Sequence, residues 1–189
     1  MIGAAILLLG TGSAFASHPL PETERFSTSH DNVCYVMNEL NKVHINDQTN
    51  QGNLLKDEVE DARVHISSRT NMTLAYADSC AAGTSQVSAK LMNSNVLAAP
   101  TPMYGSGPYE YKIIYFNTHS SVNFDTSSIC TADDDPSPEF VANHEFGHHV
   151  GLGHAEWYDS QSHTMMKPSC GHGYAAISSA DRDQVNEYY

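Results

Sequence analysis

Apolar residues recur at helical spacing in one early stretch of the chain. From Asn53, the segment NLLKDEVEDARVHISSRT places four apolar side chains on one helical face, namely Leu55, Val59, Ala62 and Ile66. Asn53 is a suitable N-cap, and the acidic residues that follow it favour the positive end of the helix dipole. The pattern predicts an amphipathic helix that begins at Asn53.

Four further segments have the pattern of strands. Residues 72–77 alternate like a half-buried strand, and residues 86–92 do so more weakly. Residues 96–99 are followed by prolines at 100 and 102, which a sheet tolerates only at its edge. Residues 111–117, YKIIYFN, give the strongest strand signal. We therefore predict an edge strand at 96–99 and an interior strand at 111–117.

Two more helices are predicted from their capping residues. Ser137 is a good N-cap, Pro138 suits the first helical position, and the glycines at 151 and 153 end that helix. Ser178 and Asp181 have the spacing of a capping box and predict a short final helix. The chain therefore mixes helices and strands.

Composition limits the classes of partner. The 189 residues suit one folded domain. The chain has 9 Lys and Arg against 22 Asp and Glu, which gives a net charge of −13. This negative field repels phosphate groups, so we expect neither nucleic acid nor an anionic membrane surface as a partner. We expect a monomer.

The N-terminal residues have the features of an export signal. Residues 2–16 form an apolar run that ends in Ala14-Phe15-Ala16, a small-x-small cleavage pattern. The run is short for a membrane span, although a membrane anchor remains the alternative. We expect residues 1–16 to be a signal peptide of a secreted protein, residues 17–30 a linker or short pro-segment, and residues 31–189 the functional domain.

The four cysteines are widely spaced and include no C-x-x-C pair, which argues against a thiolate zinc site. An even number in an exported chain predicts two disulfides, for which three pairings exist. We favour Cys34–Cys80 and Cys130–Cys170, because the second pair brackets a histidine-rich segment.

That segment, HEFGHHVGLGH, carries the candidate chemistry. On a helix, His144 and His148 lie four residues apart and present two imidazoles to one point. Glu145 lies beside the first of them, where it can reach a metal-bound water. Gly151 lets the chain leave the helix, so that His154 can return as a third ligand. Three histidines with one open position are typical of a catalytic zinc site.

The alternative is a solvated helix that is rich in histidine by chance, since the chain has 11 histidines. The pattern H-E-x-x-H-x-x-G-x-x-H fixes five positions, however, and it follows a predicted strand and N-cap. His149 belongs to none of those positions. It points away from the ligand face, and we expect it at the surface.

The segment resembles the zinc-binding consensus of the metzincin metallopeptidases. The metzincins also have a methionine-containing turn downstream, and SHTMMKPSCG is similar to it, with Met166 as the best match and Met165 the alternative. The order of segments is closest to the matrixin branch, while Ala155 after the third histidine leaves the subfamily open. The resemblance implies an α+β fold with a twisted, mostly parallel sheet of about five strands. It also implies an antiparallel edge strand, an active-site helix and a C-terminal helix.

The resemblance implies a secreted zinc endopeptidase. On this resemblance, Zn²⁺ is expected to be held by His144, His148 and His154 and to activate a water molecule, with Glu145 as the general base. A peptide or protein substrate lies extended along the edge strand. The expected substrate-binding residues there are Val96, Leu97, Ala98 and Ala99. A wall between Lys167 and Ile177 is expected to set side-chain specificity.

Several alternatives stay open. The domain could instead bind zinc for adhesion or recognition without catalysis, or cleave peptides of cell walls. The acidic residues 133–135 could bind Ca²⁺ or only favour the start of the next helix. Five other histidines could form a second zinc site, although scattered positions are the simpler interpretation: His44, His65, His119, His163 and His172.

Overall fold

The computed structural model of the protein describes residues 25–45, 51–105, 110–125, 137–154, 164–166 and 176–189. Within these residues the chain forms five strands and four helices. The strands are β1 (His30–Tyr35), β2 (Thr73–Tyr76), β3 (Ser85–Lys90), β4 (Ala98–Pro100) and β5 (Ile113–Asn117). The helices are α1 (Met37–Leu40), α2 (Gln51–Arg69), α3 (Pro138–His149) and α4 (Ser179–Tyr188).

The five described strands form one sheet in the order β2-β1-β3-β5-β4. The pairs β1–β2, β1–β3 and β3–β5 are parallel. Only β4 runs antiparallel, and it lies at the edge beside β5. The expected α+β class, with a mostly parallel sheet and an antiparallel edge strand, is confirmed.

Helix α2 buries the predicted apolar face. Leu55, Val59, Ala62 and Ile66 are all fully buried, and the helix packs against α3 and β2. Its predicted start was wrong, because the backbone is already helical from Gln51. Asn53 therefore lies inside the first turn and is not the N-cap.

The predicted strands appear close to their expected positions. β4 begins at Ala98, so Val96 and Leu97 precede it, although the Leu97 carbonyl still accepts a hydrogen bond from Asn117 N at 2.9 Å. β5 has neighbours on both sides and is interior, as predicted. β1 was not predicted, although it lies between β2 and β3 near the middle of the sheet.

The N-terminal described residues pack on the domain. Phe26 is 6% exposed and belongs to the core, and its backbone N–H donates to the Tyr189 hydroxyl at 3.2 Å. The end of segment 17–30 is thus part of the folded unit. Residues 1–24, with the expected signal peptide, lie outside the described residues. No described helix has the length and hydrophobicity that a bilayer span requires.

A disulfide joins Cys34 of β1 to Cys80 after β2, with the Cα atoms 5.4 Å apart. This pairing was predicted. The other predicted bond, Cys130–Cys170, lies outside the described residues.

Removal of the observed disulfide is expected to destabilise the domain. The bond closes a loop with a sequence separation of 46, which restricts the unfolded chain. We expect the double substitution Cys34→Ala, Cys80→Ala to lower the free energy of unfolding by about 2 to 4 kcal/mol. Urea denaturation monitored by circular dichroism measures this loss, and an unchanged midpoint would contradict it.

Candidate metal centre

Helix α3 presents two of the predicted ligands on one face. It begins as predicted: the Ser137 side chain accepts a hydrogen bond from Phe140 N at 3.1 Å, and Pro138 takes the first helical position. His144 and His148 follow one turn apart, with ring centroids 4.7 Å from each other. The capped, largely buried helix therefore fixes the direction of both imidazoles.

A tight turn brings the third histidine back to the first two. Leu152 N donates to the Gly147 carbonyl at 2.9 Å and closes the helix end. Gly151 has φ of 99°, a conformation that L side chains rarely adopt. A Cβ at this position would also lie 2.7 Å from Arg25 Cγ. The predicted need for glycine here is confirmed, and His154 follows directly after the turn.

The three imidazoles converge on one point. His154 Nε2 lies 3.2 Å from His144 Nε2 and 3.1 Å from His148 Nε2. A tetrahedral zinc ion with Zn–N bonds of about 2.0–2.1 Å holds its nitrogen ligands about 3.4 Å apart. The ligand atoms of these three histidines lie within 4.8 Å of one another, and the group can hold a metal ion.

Hydrogen bonds fix the tautomers of the two helical ligands. His144 Nδ1 lies 2.8 Å from the Met165 carbonyl, and His148 Nδ1 lies 2.7 Å from the Leu152 carbonyl. A carbonyl oxygen only accepts, so both Nδ1 atoms carry the proton. Each Nε2 therefore presents a lone pair to the common point, as a metal ligand must.

Burial keeps these imidazoles neutral. Desolvation lowers the pKa of His144 to about 4 and the pKa of His148 to about 3. It also lowers the pKa of His154. A neutral imidazole is the form that binds a metal ion, so at neutral pH no proton has to be removed before binding.

Glu145 is buried beside the ligands and is 5% exposed. Its Oε2 atom has no hydrogen-bond partner among the described residues. Burial raises the pKa of this carboxyl group to about 8. An unpaired buried carboxyl group is costly, and a divalent cation close to it would favour its ionised form.

Two methionines lie under the helix. Met165 and Met166 are both fully buried, and a Cβ on Gly147 would overlap the Met166 sulfur atom. Glycine at 147 therefore permits close approach of the turn to the helix. Met166 has the packed position that was expected for it, while the neighbouring Met165 supplies the carbonyl that orients His144.

His149 is not at the surface, and this prediction was wrong. Its side chain is fully buried, and its Nε2 lies 2.7 Å from Asp31 Oδ2 in β1. The helical position does point away from the ligands, but that side of α3 faces protein rather than solvent. Sequence analysis also missed Lys112, which is 1% exposed and donates to the His148 and His149 carbonyls.

A cavity of about 390 Å³ opens beside the candidate metal ligands. Its lining includes His148, His154, the last residue of β4, Pro100, and the two residues after it, Thr101 and Pro102. Of the predicted substrate-binding residues, Ala98 and Ala99 belong to β4. The edge strand thus leads towards a recess at the candidate site.

The remaining predicted sites are largely outside the described residues. This holds for the acidic residues 133–135, for His163 and His172, and for most of the wall expected between Lys167 and Ile177. Among the described residues, the only group of three potential ligands is His144, His148 and His154. His65 instead accepts a hydrogen bond from Ile177 N at 3.0 Å.

Neither a scan of the sequence against protein-family models nor a search of curated proteins returns a match. The likeness to metzincins consequently rests on the residues of the chain itself. The function has to be inferred from the chemistry of the site.

Proposed function

We propose that this chain is a zinc-dependent endopeptidase of the metzincin type. The proposal rests mainly on one observation, which is that two features occur together within one turn of α3. Two imidazoles with fixed tautomers converge with His154 on one point. A buried carboxyl group with an unpaired oxygen, that of Glu145, lies beside them.

The donor set suits zinc. Three neutral imidazoles with a free coordination position are the arrangement of catalytic rather than structural zinc sites. When bound there, zinc acidifies water and polarises a substrate carbonyl. The hydrogen bonds from the Nδ1 atoms to backbone carbonyls orient the His144 and His148 rings before any ion arrives.

Glu145 performs the proton transfers. As a carboxylate it accepts a proton from the attacking water, and it then delivers that proton to the amine that leaves. Its burial excludes solvent, which strengthens its interaction with a nearby charge. The carboxyl group stays in place because α3 packs on α2, β4 and β5.

The substrate is an extended peptide. In the described residues, β4 pairs only with β5 and forms an edge of the sheet, and an extended segment can add to such an edge through backbone hydrogen bonds. The cavity beside His148 and His154 then accommodates a substrate side chain.

A catalytically silent zinc-binding domain for recognition is the competing function. Such a domain needs the three histidines but has no use for Glu145. A buried carboxyl oxygen that has no partner among the described residues lowers the stability of the fold, and catalysis gives a reason for its presence. The site therefore favours the peptidase.

Secretion is part of the proposal. The apolar N-terminal run has the length and cleavage pattern of a signal peptide. The disulfide between Cys34 and Cys80 supports an oxidising compartment.

The test is cleavage of a mixed peptide library by the purified chain. We expect hydrolysis of internal peptide bonds, loss of hydrolysis with a chelator, and recovery when Zn²⁺ is added back. Identification of the cleaved bonds by mass spectrometry also gives the side-chain preference. Zinc binding without any cleavage would support the recognition domain instead.

A further inference from the structure

Three polar side chains are buried around the C-terminal end of α3. Lys112 immediately precedes β5, Asp31 belongs to β1, and His149 is the last residue of the helix. They are 1%, 5% and 0% exposed, respectively. None of them is a candidate metal ligand, and burial of such groups is costly unless they are paired.

Lys112 holds the end of the helix. Its Nζ atom donates to the His148 carbonyl at 3.0 Å and to the His149 carbonyl at 3.2 Å. These carbonyls belong to the last turn, where the helix dipole is negative and a cation is favourable. The Lys112 backbone is fixed in turn, because its N–H donates to Ser85 Oγ at 3.0 Å.

Asp31 of β1 binds His149 at the same C-terminal end of α3. The two side chains are 2.7 Å apart. A carboxylate oxygen only accepts, so the imidazole donates its Nε2 proton to Asp31. The rings of Phe26 and Phe146 pack beside the imidazole, with centroids 4.9 Å and 5.9 Å away.

We propose that Lys112, Asp31 and His149 form a clamp that positions the ligand turn of the metal centre. The clamp acts through His148, whose carbonyl is held by Lys112 and by Gly151 N at 3.2 Å. The ring of the same residue bonds to the Leu152 carbonyl inside the turn. A displacement of this turn therefore moves His148 and His154 together.

The alternative is that these side chains only fill space. An apolar residue would then serve better than Lys112, since replacing buried charges by apolar groups of similar size is often neutral or stabilising. The directional contacts to the carbonyl of a ligand residue argue for positioning. The inference rests on the proposed metal binding.

The first test is the metal affinity of Lys112→Met, a substitution that keeps an unbranched side chain, one atom shorter, and removes the donor. Zn²⁺ affinity of the full chain is measured by competition with a chromophoric chelator, and the visible spectrum of the Co²⁺ form reports ligand geometry. We expect affinity to fall about tenfold or more, as for other residues that orient metal ligands. The Co²⁺ bands are expected to shift.

Two more variants separate positioning from stability. Val87→Ala removes the two methyl groups of a fully buried side chain of β3 and is expected to lower stability without a change in metal affinity or in the Co²⁺ spectrum. The double variant Asp31→Leu, His149→Phe replaces both polar partners by apolar groups, which can leave stability nearly unchanged. We expect this double variant to weaken metal binding. If Lys112→Met does not fold, the double variant tests the proposal in its place.

The outcomes are distinct. Wild-type chain that binds no Zn²⁺ would overturn the proposed function itself. Wild-type chain that binds Zn²⁺, with clamp variants of equal affinity and identical Co²⁺ spectra, would overturn only the clamp. Weaker binding in the clamp variants, with Val87→Ala like wild type, supports it. Lys112→Arg, which keeps charge and donor, is then expected to recover part of the affinity.

Discussion

Replacement of Glu145 by glutamine is expected to lower kcat/KM for peptide hydrolysis about 10³-fold, within the range that proton transfer contributes to catalysis. The amide keeps the size of the side chain but cannot accept a proton from water. Metal binding is expected to persist, because the proposed ligand set consists of His144, His148 and His154. The measurement combines the cleavage rate of a peptide substrate with the metal content of the purified variant.

Glu139→Gln is the matched control. Glu139 lies in the first turn of the same helix. Its neutralisation removes a favourable interaction with the helix dipole, worth about 0.3–1 kcal/mol, together with the repulsion between Glu139 and Glu58. We expect near wild-type hydrolysis in this control. If Glu145→Gln kept hydrolysis within tenfold of wild type, Glu145 would not be the general base.

The substitution Glu145→Gln also distinguishes a peptidase from a zinc-binding recognition domain. A recognition domain would show no difference between wild type and Glu145→Gln in the binding of its partner or metal. A peptidase loses turnover in the same variant.

Local sequence signals were sufficient for three of the four described helices and for the candidate ligands, whereas the short helix α1 was not predicted. The buried face of α2, the Ser137 cap and the capping box at Ser178 and Asp181 all depend on residues a few positions apart. The same holds for His144 and His148, which lie one turn apart on α3. Such features can be read from sequence because the helix geometry fixes them without tertiary contacts.

Other features depend on contacts between distant residues. β1 reads HDNVCY, and its polar Asp31 is buried because His149, 118 positions away, is its partner. Lys112 contacts carbonyls 36 and 37 positions away. One sequence does not reveal such pairings. The one available signal was a lysine within the apolar segment YKIIYFN, which suggests a buried charge with a specific partner.

Asp181→Ala is expected to lower the free energy of unfolding by about 3 to 5 kcal/mol, since each buried donor left without an acceptor costs about 1–3 kcal/mol. Asp181 is fully buried in α4. Its two carboxylate oxygens accept from the Thr164 hydroxyl at 2.9 and 2.8 Å, and one also accepts from the Ser178 hydroxyl at 2.8 Å. The substitution therefore removes the carboxylate half of the capping box and the anchor of the methionine turn together, while the backbone N–H of residue 181 still donates to Ser178 Oγ.

The same substitution is expected to weaken metal binding. Thr164 Oγ1 accepts a hydrogen bond from Met166 N at 3.0 Å, and the Met165 carbonyl accepts the proton of His144 Nδ1. Without Asp181 the turn loses its anchor, so His144 loses the contact that fixes its ring. Urea denaturation and chelator competition measure the two effects separately.

Asp183→Ala is the control on the same helix. Asp183 is exposed, with 68% of its side chain accessible, and pairs with its neighbour Arg182, so its removal is expected to change stability by less than about 0.5 kcal/mol. Its metal affinity is expected to equal that of wild type. A loss of stability in Asp181→Ala without any loss of metal affinity would mean that His144 keeps its orientation without the anchored turn. The packing of Met165 and Met166 against Gly147 would then be sufficient to orient it.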